Sequence, residues 1–144
     1  MIDRYRSWLN WMSGISLLSA VIFLIVVGYW MLYPYKVITF NDSVFPMSTK
    51  VAKAGQIVSY KVDYCKTTDL SSSVTREFVN ALIYVTPTTI NHRPKGCHVF
   101  TMGVVVPKEL PPGEYYLHMT YRYKVNPIKE IIVEHNTEKF TVTK

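Results

Sequence analysis

Two cysteines in 144 residues allow at most one internal disulfide, which excludes a scaffold stapled by several bridges. Charge is also scarce. Only 18% of residues are Asp, Glu, Lys or Arg against 49% hydrophobic, a balance too apolar for a disordered chain. There is no Gly-x-Ser-x-Gly elbow, P-loop, His-Glu-x-x-His pair or Gly-rich dinucleotide turn, so no motif announces an enzyme. Trp is absent from residue 36 onward. The length leaves room for one domain and an appendage, not for two independent cores.

The largest absence is of charge, over the 29 residues between Arg6 and Lys36. The centre of this run, from Ile15 to Val27, is almost wholly aliphatic and predicts a transmembrane helix. Trp8 and Trp11 flank one end; Trp30, Tyr33 and Tyr35 flank the other, as expected of residues at the membrane interface. Trp11 to Trp30 spans about 28 Å at about 1.5 Å per residue, against a hydrocarbon core of roughly 30 Å. Pro34 ends the helix. The run exceeds a signal-peptide core, and Gly28 to Tyr35 lacks a small-x-small cleavage site, so residues 1–35 are expected to form a cytoplasmic tip and an uncleaved signal anchor. Arg4 and Arg6 before the helix, against Lys36 alone just after it, favour a cytoplasmic N-terminus and a periplasmic or extracellular C-terminal domain. Ser16 and Ala20 stand at the spacing of a small-xxx-small contact, a candidate helix-packing face for a homo-oligomer or a partner helix, although small residues are common in such helices anyway.

From Lys36 to Lys144 the pattern becomes alternation. Tyr115, Leu117, Met119, Tyr121, Tyr123 and Val125 share one face of a strand, with Tyr116, His118, Thr120, Arg122 and Lys124 on the other. Val58, Tyr60, Val62 and Tyr64 alternate likewise with polar neighbours. Further strands are expected over 36–40, 75–85, 98–106, 129–135 and 139–143, separated by turn-forming residues such as Lys53-Ala-Gly-Gln56, Asn91 to Gly96 and Leu110-Pro-Pro-Gly113. About seven short strands over 109 residues, with no helical period, predict an all-β sandwich in residues 36–144.

The run Val106-Pro-Lys-Glu-Leu-Pro-Pro-Gly-Glu-Tyr-Tyr-Leu117 resembles the passage between the fifth and sixth strands of immunoglobulin-like and fibronectin-III-like domains of bacteria and their phages. The resemblance implies an immunoglobulin-like β-sandwich and carries no function by itself. The whole layout is similar to small single-pass membrane proteins of bacteria or tailed phages. In an immunoglobulin-like topology Cys65, ending the second strand, and Cys97, opening the fifth, fall on antiparallel neighbours of one sheet. A disulfide there would staple the fold in an oxidising compartment, unlike the inter-sheet bridge of antibody domains; free thiols or metal ligands are the alternatives.

Chemistry is thin. Ser71, Ser72 and Ser73 read as turn formers with no His placed beside them by any recognisable motif, and Asp63 and Glu77 as partners of Lys61 or Arg76 in cross-strand ion pairs. Copper-delivery proteins of respiratory membranes are similar in layout. A soft site could draw on Cys97, His98, Met102, His118 and Met119, but there is no Cys-x-Cys pair. His118 and Met119 point to opposite faces, with Met119 expected in the core. No metal or cofactor is expected. The domain carries 14 Lys and Arg against nine Asp and Glu, a net +5 suited to anionic surfaces. Arg93 and Lys95 share the Asn91 to Gly96 loop, and the disulfide would bring Lys66, beside Cys65, to the same pole, either a binding pole or ordinary solvated loops. The basic residues are too dispersed for nucleic acid. Asn41-Asp-Ser43 matches a glycosylation sequon. These residues predict a non-enzymatic interaction module anchored in the bilayer, with a protein partner or an anionic envelope surface. The alternatives are a copper-delivery or oxidase-assembly factor and an accessory subunit of a membrane complex.

Overall fold

The computed structural model describes the backbone of residues 2–144 and the side chains from Trp11 onward. Helix α1 runs Ile2–Leu32, and Trp11–Leu32 is long and apolar enough to cross a membrane, about 33 Å at about 1.5 Å per residue. Contacts divide the chain into two units. One comprises Met1–Pro34 with Asn126–Lys129, the other Tyr35–Val125 with Glu130–Lys144. Within the first unit, Asn126 Nδ2 donates to the Trp30 carbonyl (3.2 Å), and Lys129 Nζ donates to those of Met31 (2.9 Å) and Tyr33 (3.0 Å). Carbonyls at a helix C-terminus lack intrahelical donors and carry partial negative charge, so a Lys ammonium is a favourable cap.

The second unit is an immunoglobulin-like β-sandwich. Its strands are β1 (Ile38–Phe40), β2 (Val51–Lys53), β3 (Ile57–Lys66), β4 (Ser72–Val79), β5 (Ile83–Val85), β6 (Thr89–Asn91), β7 (Gly96–Val105), β8 (Gly113–Asn126), β9 (Lys129–Asn136) and β10 (Phe140–Thr143). One sheet has the order β1-β3-β7. The other has the order β2-β10-β8-β4-β5, with β6 also on β4 and β9 on β8. Alternation places Val58, Tyr60, Val62 and Tyr64 of β3 in the core, facing Leu117, Met119, Tyr121 and Tyr123 of β8 and Val74 and Phe78 of β4. A tyrosine corner closes the passage into β8, where Tyr115 Oη donates to the Pro111 carbonyl at 2.9 Å.

The described residues form ten strands rather than seven. The stretch expected as one strand over 75–85 folds back at Asn80–Leu82, so that Glu77, Phe78 and Val79 of β4 pair with Val85, Tyr84 and Ile83 of β5. The three-residue strands β2 and β6 had no sequence expectation. β2 exists because β10 pairs with it in parallel, and β6 because β4 does so antiparallel. Tyr35, expected at the membrane interface, packs partly buried against the core of the sandwich.

Candidate functional site

One side of the sandwich is open. β7 ends its sheet, so its outer row of backbone groups has no strand neighbour among the described residues. Its inner row is held by β3 through ten consecutive pairs, from Ile57↔Val105 to Lys66↔Gly96. Residues opposite each other share a face, so the pairs Tyr60↔Met102 and Val62↔Phe100 aim Met102 and Phe100 into the sandwich. Phe100 nevertheless keeps 41% of its surface exposed. Val99 and Val105 lie exposed on the outer face, and Gly96 to Val106 contains no charged residue. Across the gap, the other sheet ends in β5 and β6 with Ile83, Val85 and Ile90 exposed. A cavity of about 530 Å³ opens between the two edges, lined by Val85, Thr86, Pro87 and Thr89 on one side and Gly103, Val104, Val105 and Pro107 on the other, with Arg76 among them.

The interior is cationic. Lys66, Arg76 and Arg93 are 3%, 9% and 7% exposed, and no Asp or Glu among the described residues is buried. Buried charges ordinarily come paired. Arg76 Nη1 donates to Thr89 Oγ1 (2.9 Å) and Nε to Tyr60 Oη (3.4 Å). The expected pairing of Glu77 or Asp63 with Arg76 or Lys61 does not form: Arg76 turns inward, and Asp63 accepts from Asn41 Nδ2 at 2.8 Å. Within ion-pair distance among the described residues stand only Lys139 and Glu114, at 2.9 Å and exposed.

Lys66 and Arg93, expected at a polar pole, are therefore interior residues, and Lys95 alone of the three is exposed. Lys66 Nζ donates to the Arg93 carbonyl at 2.7 Å. The Arg93 guanidinium lies 4.9 Å from the Tyr64 ring centroid and 5.6 Å from that of Tyr121, and none of its three nitrogens has a hydrogen-bond acceptor. Ring faces attract a cation, which offsets part of its desolvation. Burial pushes the Lys66 ammonium below its ordinary pKa, opposed by Asp69 and reinforced by Arg93. Burial raises the Tyr64, Tyr121 and Tyr123 hydroxyls. His135 is packed between Phe40 and Phe45, with ring centroids 4.9 and 4.0 Å away, and burial lowers its pKa against the opposing pull of Asp42.

Cys65 and Cys97 form a disulfide between directly opposed residues of β3 and β7. This takes Cys97 out of the imagined copper set. His98 Nε2 lies 3.1 Å from the Lys95 carbonyl, Met102 lines the sandwich, Met119 is in the core, and His118 Nδ1 meets Asn136 Oδ1 at 2.7 Å on the opposite face of β8. No three His, Cys, Asp or Glu among the described residues gather at metal-binding distances. A serine does have a His beside it, though no motif places it there: Ser71 Oγ and His92 Nδ1 are 2.7 Å apart. Both are exposed, and no carboxylate hydrogen-bonds to His92 among the described residues, so the pair ties two loops together.

No protein-family profile and no curated protein matches this chain. Among solved structures, a Niemann-Pick type C2 protein from the Japanese carpenter ant overlaps 75% of this chain and 100% of its own, at 9% identity and a TM-score of 0.43. A protein of unknown function from Porphyromonas gingivalis W83 overlaps 75% of this chain at 8% identity and a TM-score of 0.41, and this chain spans about half of it (48%). A CARDB domain from Pyrococcus furiosus, solved with di-metal ions, overlaps 76% of this chain and 95% of its own at 17% identity and a TM-score of 0.33. At these levels the overlaps say nothing of ligand or partner, and the fold rests on the sheet topology described above.

Along the helix, Trp11 and Tyr33 are exposed, Trp30 is half-buried and the rings of Tyr29 and Tyr33 lie 5.1 Å apart; the side chain of Trp8 lies outside the described residues. Ser16 and Ala20 are both exposed, and the Ser16 carbonyl accepts from Ser19 Oγ at 2.9 Å.

Two of these features had a signal in the sequence. Lys66 continues the buried alternation of β3 by one step, and Arg76 sits between Val74 and Phe78 on the core face of β4. The Ser71–His92 contact and the open edge have none, because each joins segments distant in sequence.

Proposed function

We propose that this chain is a membrane-anchored, non-enzymatic interaction module whose sandwich works outside the cytoplasm and takes a strand from a partner protein onto the free edge of β7. The observation that carries the reading is that edge. Natural edge strands are blunted by charge, proline, shortness or a bulge, and β7 has ten residues with no charge and no proline. Strand addition gains affinity from main-chain hydrogen bonds and specificity from alternate side chains, here Val99, Thr101 and Val105 outside and Phe100 inside. The disulfide favours an oxidising compartment, and Arg4 and Arg6 favour an N-terminus in the cytoplasm. A bacterial or phage envelope is the setting in keeping with the resemblance carried by Val106 to Leu117.

The test places the photoreactive residue benzoylphenylalanine at Thr101 of the full-length protein in native membranes. A single crosslinked protein species is expected, and it should disappear when Val99→Lys and Ile90→Lys charge the two edges while the Cys65–Cys97 disulfide still forms. A crosslink to a second copy of this chain would make the edge a homodimer interface. Adducts arising only from a probe at Ser16, with none from Thr101, would refute the reading and transfer the function to the helix.

A further inference from the structure

We propose that the cavity between the sheets binds a single-chain anionic amphiphile, its acid head on Arg76 and its chain along β7. Cavities of about 300–1,000 Å³ are the usual size of small-molecule sites, and this one has about 530 Å³. At about 30 Å³ per water-sized group it accommodates about eighteen such groups, the bulk of one long acyl chain with its head. The walls supply the apolar contact: Val85 and Pro87 from one sheet edge, Val104, Val105 and Pro107 from the other. The charge comes from Arg76, which lines the cavity while more than nine-tenths buried. Its two hydrogen bonds, to the neutral hydroxyls of Thr89 and Tyr60, use two of five N–H groups, and no carboxylate lies within ion-pair distance among the described residues. A buried guanidinium with spare donors beside an apolar cavity selects for a carboxylate or phosphate that brings its own hydrocarbon. Lys66 and Arg93 do not line the cavity, but as buried cations of the same sandwich they add positive potential that opposes a cationic head. The proposal concerns the space between the sheets, and the edge hydrogen bonds of β7 play no part in it.

The experiment uses the full-length protein in phosphatidylcholine nanodiscs, with a long-chain fatty acid carrying a mid-chain diazirine and the corresponding fatty alcohol as probes. After illumination the acid should label peptides containing Val85–Pro87 or Val104–Pro107 at least tenfold more than the alcohol does, and unlabelled acid should compete. Arg76→Gln should reduce acid labelling to the level of the alcohol. Should that variant fail to form its disulfide, the comparison of acid with alcohol in the unaltered protein still decides. Equal labelling by the two probes, or label confined to Trp11–Leu32, would overturn the proposal. Displacement of the acid by millimolar inorganic phosphate would overturn its apolar half, leaving a site for free anions.

Discussion

Replacing Cys65 and Cys97 together by Ala tests whether the disulfide works on the folded or the unfolded chain. The two residues are 32 apart, so the bridge closes a loop of about 33 residues in the unfolded ensemble. The chain-entropy relation assigns that constraint about 4 kcal/mol at 25 °C. The native state should lose little beyond it. Nine other pairs hold the β3–β7 register, Cys97 is exposed and Cys65 only half-buried, and neither reaches the core cluster. Set against a total of about 5–15 kcal/mol for an ordinary domain, the loss is severe and the fold still forms. Urea unfolding of the full-length protein in mild detergent, followed by tyrosine fluorescence, should show the stability falling by about 4 kcal/mol. The folding rate should carry most of the change and the unfolding rate little. A loss below about 1 kcal/mol would show that β3 and β7 stay associated in the unfolded chain. A loss expressed wholly as faster unfolding would show a native contact that the geometry does not contain, and either result refutes the reasoning.

His135 gives an acid dependence with a definite sign. Its folded pKa lies below the ordinary 6.5, so the unfolded chain takes up the proton first; stability is full above about pH 6.5 and falls as pH drops towards the folded value. His135→Phe should flatten urea midpoints between pH 7.5 and 5.5, and a variant that tracks the unaltered protein would refute the assignment. Arg93→Met should leave stability unchanged or raise it by about 1 kcal/mol in thermal unfolding, because an unpaired buried guanidinium costs more than its two ring contacts return. A loss of more than about 1 kcal/mol would show that the guanidinium is fully compensated where it lies.

Where structure follows from local periodicity, the sequence is readable. The uncharged run between Arg6 and Lys36 is helical as far as Leu32, and the alternations of Val58 to Tyr64 and Tyr115 to Val125 are the two central strands of the sandwich. The resemblance that made Cys65 and Cys97 strand neighbours agrees with their register. What stayed hidden depends on partners. A three-residue strand such as Val51–Lys53 has too few positions to show a period and is defined by the strand that pairs with it. The fold-back at Asn80–Leu82 lacks Gly and Pro, so the strand seemed to run on. Charged side chains are solvated by default, and that expectation hides an alternation that places Lys66 and Arg76 inside. The open side of the sandwich lies between β7 and the edge formed by β5 and β6, and is a property of no single segment.

The parallel pairing of β2 with β10 has a consequence for biogenesis. Val51–Lys53 finds its sheet neighbour only in Phe140–Thr143, nearly ninety residues later, and the central strand of that sheet, β8, begins only at Gly113. A chain leaving the ribosome at about 5–20 residues per second can assemble β1, β3 and β7 while the larger sheet still lacks its middle. The cysteines can therefore meet before the sandwich closes, so that the ten-pair ladder of β3 with β7 and its disulfide need nothing from the larger sheet.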